Sequence, residues 1–451
     1  MNKNDTINAY IEKTGYDGEG IAKIDGYTVF VRGAAEGDYA DIKILKVNKN
    51  FAYGKIEKIT SPSPHRREAL CPSFGKCGGC SMMHVNYEKQ LEVKTNTVIN
   101  NLRKIAHLNE GEYIFEGIIG CSEEYNYRNK AQYPLSAENG KAVLGFYAAA
   151  SHRVIPCDSC KIQNELINKT ANAIVDYINE NNISIYDEKS GKGIVRHIYI
   201  RTSQNGDIMS VIVTNSKKEI PLKSKLIEKL TSIGGMKSII QNINLRSDNV
   251  VMGSENITLW GDERITLSLG ALKFLVSPNS FFQVNSIQTE KLYAKALEYA
   301  DLSGDETVFD LYCGVGSISL YMAKHAKEVY GVEIIEAAIE NAKSNALMNN
   351  ADNAYFYAGD CTKIVGELIN SGKKADVVVV DPPRKGCDIN LLHLINKISP
   401  NKLVYVSCNS ATLARDISYL SEFGYKFKKA TAVDMFPQTS HVECCALLTK
   451  E

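Results

Sequence analysis

From Asp305 onward, apolar runs of four or five residues alternate with helical patterns, and that rhythm admits few folds. Strands separated by crossover helices predict a doubly wound parallel sheet, buried on both faces. Thr307–Leu311 reads as the first strand and runs into Tyr312-Cys313-Gly314-Val315-Gly316, with a helix from Ser317. Residues 329–333, 355–357 and 377–380 read as the next strands. Each delivers a polar group at its carboxyl end: the glycine turn, then Glu333, Asp360 and Asp381. Residues 403–406 form a further apolar run, stopped by Ser407-Cys408-Asn409-Ser410 before a helical pattern over 411–422. Ligands of open parallel sheets bind outside the carboxyl ends of the strands. Cys408 therefore falls where chemistry is done. Taken alone it is equally well a small buried thiol, a common fate of free cysteine. The polar strand ends around it are what single it out.

Gly314 and Gly316 let the backbone approach a ligand closely, and Glu333 suits a pair of ribose hydroxyls. A nicotinamide dehydrogenase shares both features but wants a third glycine, which Ser317-Ile318-Ser319 does not supply. Nor does such an enzyme need Asp381-Pro382-Pro383. Two prolines fix the chain and remove backbone donors, which suits a flat base slotted beside a carboxylate. S-Adenosylmethionine is the cofactor expected, with Asp360 an acceptor for its adenine amino group.

Upstream, residues 6–59 hold short alternating strands punctuated by glycine, clearest at 27–31 and 40–47, and predict a small β-barrel. Lys43, Lys46, Lys49, Lys55 and Lys58 interleave with Phe51 and Tyr53 there, as a phosphate-and-base surface would require. A lysine-guarded edge strand looks the same. Residues 61–67, SPSPHRR, mark a linker. The formal net charge is zero, so any nucleic-acid surface must come from such local clusters. The N-terminus lacks an apolar signal-peptide core and no run is long enough to span a membrane, so a cytoplasmic protein is expected.

Twelve cysteines are many for a reducing compartment. Cys71, Cys77 and Cys80 crowd the stretch CPSFGKCGGC, and Cys157 and Cys160 form a second group. Clustered thiols without a signal peptide point to metal. Zinc prefers two pairs of ligands, whereas three ligands in one loop and a distant fourth suit a four-iron cluster. A helix is predicted over 86–106, and an α+β pattern over 112–262. Within it Tyr127-Arg128-Asn129-Lys130 sets stacking and phosphate-binding side chains together.

DLYCGVG (310–316), DPPRKG (381–386), VSCNSATLARD (406–416), FFQVN (281–285) and HVE (441–443) together resemble the RumA/TrmA family over nearly the whole chain. These are S-adenosylmethionine-dependent RNA uracil-5 methyltransferases. The N-terminal barrel is similar to the family's TRAM domain, and CPSFGKCGGC to the iron–sulfur segment of its ribosomal-RNA branch. The resemblance implies a multidomain chain. An OB-like RNA-binding barrel would span 1–59. An α+β domain with a [4Fe-4S] cluster would span 60–276, its helix at about 86–106 free to pack on the catalytic domain. A Rossmann-like class I methyltransferase would span 277–451.

The same resemblance implies roles for single residues. Cys408 would be the nucleophile, Glu443 the base and Asp381 the group that orients the uracil imide edge. Gln283, Tyr312, Ser317, Glu333, Asp360 and Asp381 would surround S-adenosylmethionine, and Phe281 would stack on the target base. Cys71, Cys77, Cys80 and Cys160 would hold the cluster, with Cys157 leaving the fourth ligand open. The expected activity is methyl transfer to carbon 5 of a uridine in 23S ribosomal RNA, with no membrane and no protein partner. A tRNA methyltransferase of the same mechanism and a non-catalytic RNA-binding assembly factor are the alternatives.

Overall fold

Strands β1 (Thr6–Thr14), β2 (Gly20–Ile24), β3 (Tyr27–Arg32), β4 (Tyr39–Val47) and β5 (Phe51–Ser61) pair in the order β1-β2-β3-β5-β4 in the computed structural model, which describes residues 1–450. The return pairing of β4 with β1 closes the barrel and leaves no free edge. Val29 and Val31, and Ala40, Ile42 and Ile44, point inward at every second position. The barrel is pinned from outside. Buried Asp38 accepts bonds from Ala35 N (2.7 Å), Ser63 N (2.9 Å) and Arg66 Nε (3.0 Å).

Two elements follow, α1 (Tyr87–Ile105) and β6 (Ile114–Ile119). Asn86 caps α1, its side chain accepting Lys89 N at 3.0 Å. The middle body is built from β7 (Lys130–Glu138), β8 (Lys141–Tyr147), β9 (Val154–Pro156), β10 (Val195–Thr202), β11 (Ile208–Thr214), β12 (Met236–Ile243) and β13 (Glu255–Gly261). They form one sheet, ordered β13-β12-β11-β10-β7-β8-β9. Helices α2 (Glu165–Glu180) and α3 (Lys223–Thr231) cover it. Ile167, Ala171 and Ile174, at helical spacing, meet Ile198, Ile200 and Ile212.

The hairpin β14 (Ile265–Leu269) and β15 (Leu272–Val276) leads to α4 (Ser286–Ala300). The alternation expected from Asp305 then appears as β16 (Thr307–Leu311), α5 (Ser317–Ala323), β17 (Glu328–Glu333), α6 (Glu336–Met348) and β18 (Ala354–Ala358). It continues through α7 (Cys361–Asn370), β19 (Val377–Val380), α8 (Ile389–Ile398), β20 (Lys402–Ser407), α9 (Ser410–Glu422), β21 (Tyr425–Val433) and β22 (Glu443–Lys450). The sheet order is β18-β17-β16-β19-β20-β22-β21-β6, with β18 to β20 parallel. β16 has its successor on one side and β19 on the other, so their carboxyl ends open at the switch point. Both faces are covered: Val308 packs into one core, Phe309 and Leu311 into the other.

The packing does not divide at 276/277. β6, from within 60–276, pairs in parallel with β21 and becomes the eighth strand of the catalytic sheet. The edge of β21 would otherwise be open. Ile265, Leu267, Phe274 and Val276 of the β14–β15 hairpin are buried in the catalytic core. Helix α1 also belongs here: Asn101 Nδ2 donates to Ser410 Oγ (2.8 Å), and fully buried Lys94 pairs with fully buried Asp434 at 2.5 Å. Among the described residues no helix is long and apolar enough to cross a membrane.

Candidate active site

The chain turns sharply where β16 ends. Tyr312 (φ +68°), Gly314 (+55°) and Gly316 (+80°) all take left-handed backbone. A Cβ at Gly316 would lie 2.9 Å from the Phe356 ring, so a larger residue has neither the conformation nor the room. The turn wraps around Glu333, which accepts Gly314 N at 3.3 Å and Ile335 N at 3.0 Å. Ser317 opens α5, its hydroxyl 3.0 Å from Tyr293 Oη. Asp360 caps α7 by accepting Lys363 N at 3.1 Å. The carbonyl of buried Gln283 accepts Asn129 Nδ2 at 3.0 Å.

These groups line one cavity of about 1190 Å³, and so do Phe281, Asp381, Cys408 and Glu443. All nine residues that the motifs single out for chemistry, cofactor and base therefore meet in a single space. They arrive from seven separate stretches of chain, each from a loop or an element's end. The glycine turn and Glu333 form one wall; Cys408, Asp381 and Glu443 form another.

Cys408 and Glu443 meet through strand register. In the antiparallel β20–β22 pair, Ser407 lies opposite Cys444, which sets Cys408 opposite Glu443 at the end of the ladder. Glu443 is buried, and its Oε2 has no hydrogen-bond partner. Burial, then Asp381, pushes its carboxyl up to about 8, against the pull of Arg384. Burial and then Asp310 push Asp381 up to about 7. Burial, Glu443 and Asp381 push the Cys408 thiol up to about 11, again against Arg384. The resting sulfur is a thiol, flanked by two carboxyls near neutrality. A carboxyl tuned to that range works as a proton acceptor at cellular pH. Perturbed acids converging in a cleft make that cleft a candidate site of chemistry.

Phe281 is 63% exposed at the cavity mouth, with Lys130 Nζ 5.7 Å from its ring centroid. The cavity also holds Tyr293, Arg384, Phe436 and His441, which the sequence reading does not single out. Arg384 and His441 sit inside the motifs DPPRKG and HVE, so adjacency was a usable signal for both. Their side chains approach to 3.4 Å. Tyr293 and Phe436 carry no motif; only the fold brings them in.

The cysteines gather elsewhere. Cys71, Cys77, Cys80, Cys157 and Cys160 line a second cavity of about 150 Å³, together with Arg128 and Lys161. Among the described residues no three His, Cys, Asp or Glu side chains are drawn tightly enough to hold one metal ion. Four thiolates on a single zinc would stand roughly 4 Å apart. A cluster of four irons needs a wider ring of sulfurs, which the five-thiol cavity with its two cations fits in donor type. The Cys157 thiol sits between Cys71 and Cys160, close enough to each for the three to perturb one another's ionisation. Cys77 Sγ accepts Gly79 N at 3.3 Å.

Residues 86–451 match the tRNA (Uracil-5-)-methyltransferase family, and residues 2–56 match the TRAM domain. An uncharacterized RNA methyltransferase of Clostridium tetani is 50% identical over 451 residues, covering 100% of this chain and 97% of the relative. Another, from Clostridium acetobutylicum, is 48% identical over 100% of this chain and 98% of its own length. Among solved structures, the tRNA (uracil-54, C5)-methyltransferase of Pyrococcus abyssi in complex with S-adenosyl-L-homocysteine superimposes with a TM-score of 0.78. It is 28% identical, and the match covers 98% of this chain and 100% of that one.

Proposed function

The chain belongs to the tRNA (uracil-5-)-methyltransferase family, with a TRAM domain ahead of the family region, and from that premise we propose that it methylates carbon 5 of a uridine in 23S ribosomal RNA through a covalent bond to Cys408. The observation that carries the reading is the meeting of Cys408, Glu443 and Asp381 in one cavity with the glycine turn.

Bound S-adenosylmethionine would supply an electrophilic methyl group on its sulfonium. Glu333, Gln283, Tyr312, Ser317 and Asp360 would hold it. Carbon 5 of uracil is a poor nucleophile until another group adds across the ring. The Cys408 sulfur, once deprotonated, bonds to carbon 6, and the displaced electron pair moves onto carbon 5. Asp381 orients the ring by its imide edge. After methylation, carbon 5 carries both a methyl group and a proton. Glu443 takes that proton, the pair returns to the ring double bond, and the carbon–sulfur bond breaks. Splitting one hard step into two easier ones is what a covalent nucleophile contributes. The uridine must leave its stack, at least expense in a loop, and exposed Phe281 is placed to hold it.

Cys71, Cys77, Cys80 and Cys160 would hold a [4Fe-4S] cluster. Cys157 beside them lowers the Cys71 and Cys160 thiols and favours thiolates at those two positions, whereas burial raises Cys77 and Cys80. The chemistry above needs no electron transfer, so the cluster's role would be structural or in positioning RNA. The protein would act in the cytoplasm, where ribosomal RNA is.

The Pyrococcus abyssi neighbour favours a second reading, a tRNA substrate with the same chemistry. Mapping 5-methyluridine in ribosomal and transfer RNA from a strain lacking this gene separates them. Loss from 23S RNA alone is the expected result. Loss from tRNA moves the substrate, and no loss from either leaves an RNA-binding assembly factor.

A further inference from the structure

The β1–β2 loop of the barrel, residues 15–19, reaches the rim of the catalytic cavity. Tyr16 Oη donates to Asn409 Oδ1 at 3.4 Å. Asn409 directly follows Cys408 and ties the rim together. Its Oδ1 also accepts Ala411 N at 3.0 Å, and its Nδ2 donates to the Arg384 carbonyl at 3.2 Å. Two residues beyond Tyr16, Gly18 takes φ +86°, and a Cβ there would stand 2.7 Å from Ser81 Oγ. Ser81 follows Cys80, and its hydroxyl accepts Ser440 N at 3.1 Å, beside His441. The loop is thus seated between the segment carrying the thiol and the segment carrying Glu443.

The barrel behind the loop is held in place. Glu36 pairs with nearly buried Lys89 of α1 at 2.7 Å, and Asp38 with Arg66 at 2.5 Å. Tyr16 is therefore fixed at its hydroxyl edge, yet it is 52% exposed. Asp17 and, more weakly, Arg384 both act on it electrostatically. An aromatic ring anchored at one edge and left open on its faces is a platform on which any base can stack. Asn409 is one residue, about 3.8 Å of chain, from the attacking cysteine. The ring is then within one nucleotide's reach of the attacked base.

We propose that Tyr16 is an RNA-binding residue whose ring stacks on the unpaired nucleotide adjoining the extruded uridine, so that the barrel forms one wall of the catalytic mouth. The inference rests on reading the chain as an RNA uracil methyltransferase.

The test uses the full chain and a fluorescein-labelled oligouridylate, with Kd read by anisotropy. Tyr16→Ala weakens binding about tenfold, the effect of losing one base stack. Tyr16→Phe, which keeps the ring and loses the hydroxyl, stays within about twofold on the same scale. A 5-iodouridine version of the oligonucleotide, irradiated and digested, cross-links to the tryptic peptide containing Tyr16. If Tyr16→Phe binds as poorly as Tyr16→Ala, the residue acts only by holding Asn409 and the stacking role is overturned. Unchanged binding by Tyr16→Ala overturns it too, while leaving the methyltransferase reading intact. A wild-type chain that binds no RNA overturns both.

Discussion

Cys408 and Glu443 stand at facing ends of one antiparallel pair, one residue beyond the last ladder partners, Ser407 and Cys444. Directly opposed residues of such a pair project from the same face, as the roles proposed for the two side chains require. Cys408→Ala removes the sulfur proposed to add to carbon 6, and methylation of RNA falls to background. Glu443→Gln leaves addition and methyl transfer possible but removes the acceptor for the carbon 5 proton, a contribution of about 100- to 10,000-fold. That variant accumulates an RNA adduct that survives denaturation. A denaturing gel reads it directly: turnover by Glu443→Gln without a slow band would exclude the role assigned to Glu443.

The same proximity sets the acidity of the thiol. Burial, then Glu443 and Asp381, together raise Cys408 to about 11, the carboxylates because an anion beside a thiolate disfavours ionisation. Arg384 opposes them. Glu443→Gln removes a repulsive charge, so the midpoint of Cys408 alkylation moves to lower pH and the reaction at pH 8 quickens. Arg384→Ala removes the attraction and shifts the midpoint the other way. Iodoacetamide labelling followed by mass spectrometry of the Cys408 peptide measures both. Equal rates across the three proteins would mean that the carboxyl and guanidinium do not act on the sulfur.

The polar strand ends were legible because a parallel sheet obliges them to converge. A buried parallel strand such as 377–380 carries its carboxyl end to the ligand side, so the position of Asp381 in the cavity followed without any contact being known. Helix α1 was legible as a helical pattern over 86–106, and the family resemblance also allowed for its packing on the catalytic domain, where Asn101 meets Ser410 and Lys94 meets Asp434. What the residues could not disclose was anything set by pairing across long separations. β6 alternates weakly, and its side chains are exposed or half-buried. Only the open edge of β21 gives it a sheet to join. Tyr293 and Phe436 enter the site on elements whose local pattern is ordinary core packing. Tyr16 lies in a turn whose neighbour, Asn409, is nearly four hundred residues away.

The pairing of α1 with the catalytic body has an energetic signature. Lys94 and Asp434 have fully buried side chains, and Asp434 also accepts the Tyr87 hydroxyl at 2.9 Å. Burial pulls the Lys94 ammonium towards its neutral form, against Asp434. Removing one partner of such a pair strands the other without water and costs about 3–5 kcal/mol. Lys94→Ala should lower the urea midpoint accordingly. Lys94→Met combined with Asp434→Leu should recover part of the loss, since no unpaired charge remains. Strictly additive losses in the double variant would mean that the two side chains do not depend on each other.

The five thiols make a prediction independent of RNA. If Cys160 is a ligand and Cys157 a hydrogen-bond donor to the ligands, their replacements differ in kind. Cys160→Ser removes a ligating sulfur, and anaerobically reconstituted protein loses its iron and its visible absorbance together. Cys157→Ala keeps all four ligands, so the chromophore forms. It loses the donor that stabilises the Cys71 and Cys160 thiolates, and hydrogen-bonding neighbours of this sort are worth about tenfold in metal retention. Iron should then leave about ten times faster to a chelator than from the unaltered protein. Matched iron content and release in the two variants would show that neither cysteine has the role given it, and a colourless Cys157→Ala beside an intact Cys160→Ser would exchange them.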